Sequence, residues 1–136
     1  DHYAVLLREG HPLARGRGGP GRMALDDLHQ LELVAVRSHS ETLRILKAMQ
    51  LESQVRLTAA HFMAVPFIVR QTDLGVIMPA QIAGIFLEQG GYARLDADFP
   101  DHRFDVSLHW SWRFEQDPAR QWLRALVVEL FEAWKQ

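Results

Sequence analysis

The feature that most constrains the fold is the regular alternation of short apolar segments with helical ones. Residues 74–78 read Leu-Gly-Val-Ile-Met, with Pro79 directly after them. A short apolar run bounded by turn residues is typical of a strand buried on both faces, in a sheet covered by helices. Similar runs recur along the chain and predict the order β-α-β-α-β-α-β-α-β-β-α. We therefore predict an α/β fold with a doubly wound sheet, which binds ligands at the carboxyl ends of its strands.

Gly75, at the beginning of this apolar strand, has two interpretations. A missing side chain lets a ligand or another backbone come close, or it relieves the packing between a strand and a helix. The sequence leaves both open.

Composition excludes several functional classes. The 136 residues are 48% hydrophobic and 24% charged, as expected for one globular domain with a sizeable core. The formal charge of −2 argues against direct binding to nucleic acid, and the lack of cysteine excludes disulfides and thiolate metal sites. The seven histidines form no tight metal motif, and no hydrolase, nucleotidase or dehydrogenase motif is present. We predict no enzymatic activity, no catalytic residues, no metal and no cofactor.

Local signals place three elements. Ser38 and Glu41 have the spacing of a capping box and predict a helix that begins after Ser38. Residues 104–113 alternate apolar and polar side chains and predict a strand. Asp117 followed by Pro118 predicts the beginning of a long final helix with one large apolar stripe.

Three segments carry a resemblance to a known family. The segments YAVLLREGHPLA, AHFMAVPFIVRQTDLGVIMPAQIA and HWSWRFEQDPARQWLRALVVELF resemble the effector-binding domain of LysR-type transcriptional regulators. The branch is that of nodulation regulators and regulators of aromatic-compound breakdown. The resemblance implies a periplasmic-binding-protein type II-like fold, in which two α/β subdomains are joined by a two-strand hinge. Full-length members also carry an N-terminal winged helix-turn-helix.

Under this resemblance the chain divides into three parts. Residues 1–8 would be a hinge strand, residues 9–103 the doubly wound regulatory subdomain II, and residues 104–136 the return hinge strand and the last helix of subdomain I. The rest of subdomain I and the DNA-binding domain would lie outside this sequence. The last helix would then lack its cover.

The resemblance also implies site residues. In the resembling family, the effector-binding positions are a histidine-phenylalanine pair at a helix start, one residue of the returning hinge strand, one residue at the start of a strand and one helix position that can carry arginine. Ser38 is added to these positions because it lies at a helix N-terminus, where an anion could bind. These are His61, Phe62, His109, Leu33, Ile85 and Ser38. The apolar Ile85 cannot pair with a carboxylate, which argues against a salicylate-like acid. The helix after Pro79 would form a dimer contact through Gln81, Ile82, Gly84 and Phe86.

We therefore expect a cytoplasmic bacterial regulator that binds a small aromatic effector between two subdomains. It would form a homodimer or homotetramer and contact DNA only through its N-terminal domain, with no membrane association. A solute-binding protein of the same fold, which delivers a ligand to a transporter, remains the alternative.

Overall fold

A computed structural model describes residues 1–14, 21–100 and 103–134, and of residue 134 it describes only the backbone. Its strands are β1 (Tyr3–Arg8), β2 (Gly21–Arg22), β3 (Leu33–Val36), β4 (Val55–Ala59), β5 (Gly75–Pro79) and β6 (Tyr92–Asp96). Its α-helices are α1 (Leu25–Leu28), α2 (Ser40–Ala48), α3 (Val65–Gln71), α4 (Ala80–Glu88) and α5 (Pro118–Trp134). Short 3-10 helices cover Pro12–Ala14, Glu52–Gln54, Phe62–Ala64 and Trp112–Phe114. The predicted alternation of strands and helices is confirmed, except over residues 104–113.

The six strands form one sheet in the order β2-β6-β1-β5-β3-β4. β3 runs parallel to β4 and β5, whereas β1 runs antiparallel to β5 and β6. The short β2, which the sequence pattern does not predict, pairs parallel to β6. The sheet is therefore mixed.

Both faces of the sheet are covered, as predicted for a doubly wound sheet. Val5 and Leu7 of β1 pack into a cluster with Leu28, Ile45 and Phe99, whereas Leu6 packs on the other face with residues of α3 and α4. Because successive side chains of a strand point to opposite faces, this division follows from the uninterrupted apolar run of β1. The two clusters hold the helices of the first part of the chain on the sheet.

β1 occupies the centre of the sheet. Its pairing with β5 begins at Tyr3 and Pro79, and its pairing with β6 begins at Ala4 and Asp96. Residues 3–8 are thus an integral part of the sheet, and the proposed division at residue 8 remains a prediction. Among the described residues, the hinge-like contact consists of one bridge, His2↔Arg103, and two hydrogen bonds between Asp1 and Phe104. The Phe104 amide donates to the Asp1 carbonyl at 2.9 Å, and the Asp1 amino group donates to the Phe104 carbonyl at 2.8 Å.

The prediction of a strand over residues 104–113 is wrong. Residues 104–111 have no regular secondary structure, and Trp112–Phe114 forms a 3-10 helix. A strand needs a neighbour for its backbone hydrogen bonds, and beyond Phe104 no described strand pairs with this segment. The predicted apolar face is correspondingly exposed, and Trp110 and Trp112 are not core residues.

The helix starts follow the sequence with one correction. The N-cap of α2 is His39 and not Ser38, so the predicted capping box is wrong. Pro66 lies in the first turn of α3, where its missing N–H is not needed. The carboxylate of Asp117 accepts a hydrogen bond from the Arg120 amide at 3.0 Å, which confirms it as the cap of α5.

The chain divides into two compact units, residues 1–104 and residues 105–136, called here unit 1 and unit 2. Unit 1 contains the whole sheet. Unit 2 contains the irregular segment, the 3-10 helix Trp112–Phe114 and α5. The apolar side chains of α5 are largely solvent-exposed; they are Trp122, Leu123, Val128, Leu130 and Phe131.

Candidate ligand-binding site

The candidate site lies where the parallel strands of unit 1 end. The carboxyl ends of β3, β4 and β5 meet at one side of the sheet, called here the carboxyl edge. The chain continues from β3 into α2, from β4 into the 3-10 helix Phe62–Ala64, and from β5 into α4. Because β1 is antiparallel, its first residue Tyr3 lies at the same edge, opposite Pro79. Ligands of open α/β sheets bind at such an edge.

Four rings come together at this edge and form the aromatic cluster: Tyr3, His39, Phe62 and Phe104. The His39 ring meets Phe62 edge-on, with 5.0 Å between centroids, and lies 6.1 Å from the Tyr3 ring. The Tyr3 ring lies 5.0 Å from that of Phe104. These spacings are those of favourable aromatic pairs. The cluster offers ring edges and faces against which a planar ligand could pack.

His39 connects the aromatic cluster to α2. Its Nδ1 accepts a hydrogen bond from the Thr42 amide at 3.4 Å, while the Thr42 hydroxyl donates to the His39 carbonyl at 3.0 Å. Burial lowers the pKa of His39, against a smaller opposing effect of the Glu41 charge. Since Nδ1 accepts, the neutral ring carries its proton on Nε2, and the His39 ring can donate one hydrogen bond.

Tyr3 supplies the second polar group of the cluster. The residue is buried, and burial raises its pKa, assisted by the Glu41 charge and opposed by Arg44. Within the described residues its hydroxyl makes no hydrogen bond. A phenol both donates and accepts, so Tyr3 is suited to a polar group of a ligand.

Three of the predicted effector residues lie at this edge. Phe62 is half-buried and belongs to the aromatic cluster, and the exposed His61 precedes it at the N-cap of its 3-10 helix without a side-chain capping bond. Ser38 is exposed and precedes His39. The structure therefore brings Phe62 into contact with His39, a residue that the sequence analysis did not propose.

Leu33 lies elsewhere. It is 0% exposed and lies at the amino end of β3, paired with Gly75 and Val55. A completely buried side chain at the opposite end of the strand cannot contact a ligand at the carboxyl edge. Leu33 is therefore a core residue in this structure, and its role as an effector contact stays a prediction without support from its position.

Ile85 and the predicted dimer residues lie on α4. Ile85 and Gln81 are half-buried, Ile82 is 40% exposed, and a Cβ added to Gly84 would have nothing within 4 Å. Phe86 packs against the core of unit 1, with its ring 5.6 Å from that of Tyr92. The structure therefore places part of the apolar surface of α4 inside its own unit.

His109 belongs to unit 2. It is exposed and borders a cavity of about 190 Å³ between the irregular segment and α5. The Arg124 guanidinium lies 4.7 Å from the centre of the Trp110 ring beside it, and donates to the Glu115 carbonyl at 3.1 Å. The cavity is lined by residues of unit 2 alone.

Two kinds of feature are absent from the described ranges. No group of three or more histidine, aspartate or glutamate side chains is arranged to hold a metal ion there. No described helix combines the length and the apolar character needed to span a bilayer.

Comparison with known proteins gives one consistent result. The family model described as the LysR substrate binding domain matches residues 1–132. The HTH-type transcriptional activator NahR of Pseudomonas putida is 28% identical over 131 residues, which are 96% of this chain and 43% of NahR. NagR of a Ralstonia species, also an HTH-type transcriptional activator, is 30% identical over 135 residues, or 95% of this chain and 42% of NagR.

A solved structure agrees with these relatives. A Vibrio parahaemolyticus protein described as a transcriptional regulator superposes with a TM-score of 0.75 at 25% identity, covering 97% of this chain and 61% of that one. The chain spans less than half the length of NahR and NagR. All three are described as regulators and none as an enzyme, and nothing among them supports a solute-binding protein of a transporter. This chain belongs to the LysR substrate-binding domain family.

Proposed function

We propose that this domain binds a small aromatic effector at the carboxyl edge of unit 1, through the aromatic cluster. The observation that carries the proposal is the contact between His39, Phe62 and Tyr3 at the end of the sheet where this fold class binds ligands. The ring of Phe62 would stack on the effector, and the imidazole of His39 would donate to a polar substituent. His61 and His109 remain proposed effector contacts, and Ser38 and Ile85 remain proposed neighbours of the site.

The regulatory output is a shift between two arrangements of the domain. An effector can shift such an equilibrium only by the ratio of its affinities for the two arrangements. We propose that effector capture changes how subunits pack, and thereby how a separate N-terminal winged helix-turn-helix meets DNA in the bacterial cytoplasm. The subunits would pair through α4, where Ile82 and the open position of Gly84 present the outer surface.

The exposed side of α5 supports the proposed two-subdomain organisation. Trp122 and Leu130 are 66% and 60% exposed, and exposed apolar patches of several hundred square ångströms mark interaction surfaces. We propose that this face packs against the remainder of subdomain I. NahR and NagR are more than twice as long as the segment that this chain matches, which supports the proposal that subdomain I includes residues outside this sequence.

The binding proposal is tested with a panel of small aromatic compounds in a thermal-shift assay. A ligand at about a hundred times its dissociation constant raises the unfolding free energy by roughly 2.7 kcal/mol. Phe62→Ala should abolish the shift, because it removes the ring that contacts His39. Phe67→Ala is the matched control, since Phe67 is 64% exposed on α3 and makes no ring contact with the cluster.

Two outcomes would contradict the proposal. If sugars or amino acids stabilise the domain while aromatic compounds do not, the effector is not aromatic. An aromatic shift that survives Phe62→Ala unchanged would place the site elsewhere.

A further inference from the structure

We propose that the effector is electrically neutral where it meets the carboxyl edge: an aromatic molecule carrying a hydroxyl or amide group, and not an aromatic carboxylate. This inference rests on the proposed function and names the chemical class of the effector. Its basis is that the positions at this edge that would attract an anion are filled by the chain's own side chains.

The amino end of α4 lies beside the aromatic cluster. Its N-cap, Pro79, pairs with Tyr3 across β5 and β1, and the Ala80 amide donates to the His2 carbonyl at 2.8 Å. The free amides and the dipole at a helix N-terminus favour a negative charge. An effector carboxylate packed against Tyr3 would therefore be drawn to this helix end.

That place is already taken by the carboxylate of Asp1. Its side chain is only 5% exposed, and Oδ1 accepts a hydrogen bond from the His2 amide at 2.7 Å. Both carboxylate oxygens lie 3.4 Å from the Gln81 amide nitrogen in the first turn of α4. A second anion here would find the Ala80 and Gln81 amides in use and would be repelled by the carboxylate of Asp1.

At the amino end of α2, also beside the aromatic cluster, one amide is likewise taken. The Thr42 amide donates to Nδ1 of His39, so the donor that an anion would use is directed at the imidazole.

The next acidic group along this edge is Asp96, which lies 3.5 Å from the His2 ring and 3.4 Å from the Arg94 guanidinium. At each helix end beside the cluster, amides that could bind an anion are thus already bonded within the chain.

Most cations near the edge already have partners, and the amino group of Asp1 donates to the Phe104 carbonyl at 2.8 Å. The Arg44 guanidinium lies 3.0 Å from the carboxylate of Glu41, and Arg94 lies beside Asp96. Arg37, exposed directly after β3, has no ion pair with a described residue. It is the side chain through which a charged effector would bind if the inference were wrong, and the experiment therefore includes it.

The test compares ligand pairs of equal shape and different charge. Benzamide with benzoate, and salicylamide with salicylate, are titrated into the chain at pH 7.5 by calorimetry. The neutral member of each pair should bind at least about tenfold more tightly. Asp1→Asn keeps an acceptor oxygen for the α4 amide but removes the charge, and should tighten binding of the carboxylates about tenfold while leaving the amides unchanged. Asp26→Asn, at an exposed position on α1, is the matched control and should change neither.

The outcomes separate this inference from the proposed function. Tighter binding of the carboxylates, lost in Arg37→Gln and unaffected by Asp1→Asn, would overturn the neutral effector while leaving an aromatic site. Equal affinity within both pairs would also overturn it. If none of the four compounds nor the wider aromatic panel binds, the proposed function itself fails.

Discussion

Gly75→Ala tests why a glycine begins the buried strand β5. A Cβ added at this position would lie 2.6 Å from Cδ2 of Leu31 and 2.9 Å from Cδ2 of Leu7. Ordinary carbon contacts are about 3.5–4.0 Å, so the new methyl group overlaps both leucines by roughly 1 Å. Leu31 and Leu7 are both completely buried and cannot turn into solvent. The structure therefore favours packing over ligand approach as the role of Gly75.

The expected magnitude follows from two opposing effects. Overpacking of a core by an extra methyl group costs about 1–3 kcal/mol. Replacing glycine by alanine recovers about 0.4–1 kcal/mol, because the unfolded chain loses freedom. We expect a net loss of roughly 1–2 kcal/mol of unfolding free energy. Shortening Leu31 should make room, so Gly75→Ala combined with Leu31→Ala should cost less than the sum of the two single changes.

Urea unfolding followed by far-ultraviolet circular dichroism measures this loss. Tryptophan fluorescence is unsuitable, because all four tryptophans lie in unit 2 and report nothing directly on β5. Gly84→Ala is the control: it lies within α4 with open space around it and should stabilise the chain by about 0.5–1 kcal/mol. A Gly75→Ala variant as stable as the parent, or additive with Leu31→Ala, would refute the packing argument.

Three further predictions concern the helices. Burial lowers the pKa of His39, so the stability that depends on its neutral form is present above pH 6.5 and is lost as the pH falls through the lower pKa of the folded state. His39→Asn keeps a capping acceptor and should flatten this pH dependence in thermal unfolding measured at several pH values. Gly84→Arg should convert oligomers to monomers in light scattering, since a Cβ at this position has nothing within 4 Å in its own subunit. An unchanged dimer would exclude α4 from the contact. The chain alone should bind the dye ANS through Trp122 and Leu130, and changing both to glutamine should reduce the signal, whereas a dye-silent parent would contradict the uncovered face.

The sequence predicted the elements of unit 1 well because each carries a local signal. The apolar runs of β3 and β5 and the position of Pro66 depend on residues close in the chain. The central position of β1 could not be predicted, because it depends on pairing with β5 and β6 far along the chain. The prediction of a strand over residues 104–113 was wrong because a strand also needs a neighbouring strand. The alternation of apolar and polar residues shows only which side chains could share a face.

The candidate site was predicted only in part. The histidine-phenylalanine pair carried a signal through its family resemblance, and Phe62 lies in the aromatic cluster. His39 was missed because serine is the commoner N-cap, and the sequence offered Ser38 one position earlier. Tyr3 was assigned to an apolar strand, and only the antiparallel direction of β1 places its ring at the carboxyl edge. Leu33 lies at the wrong end of its strand for the role that the resemblance implied.

The central position of β1 also sets the order in which the chain can assemble. Within unit 1 the ribosome delivers Tyr3–Arg8 before any other strand, yet both partners of this strand, β5 and β6, emerge only near the end of the unit. At about 5–20 residues per second, this apolar segment waits several seconds without its hydrogen-bond partners. The parallel pairs of β3 with β4 and β5 bridge shorter separations and can close earlier. Within unit 1, β1 is therefore the first strand to be synthesised and among the last to be paired, and during that interval its apolar side chains are open to chaperones and to aggregation.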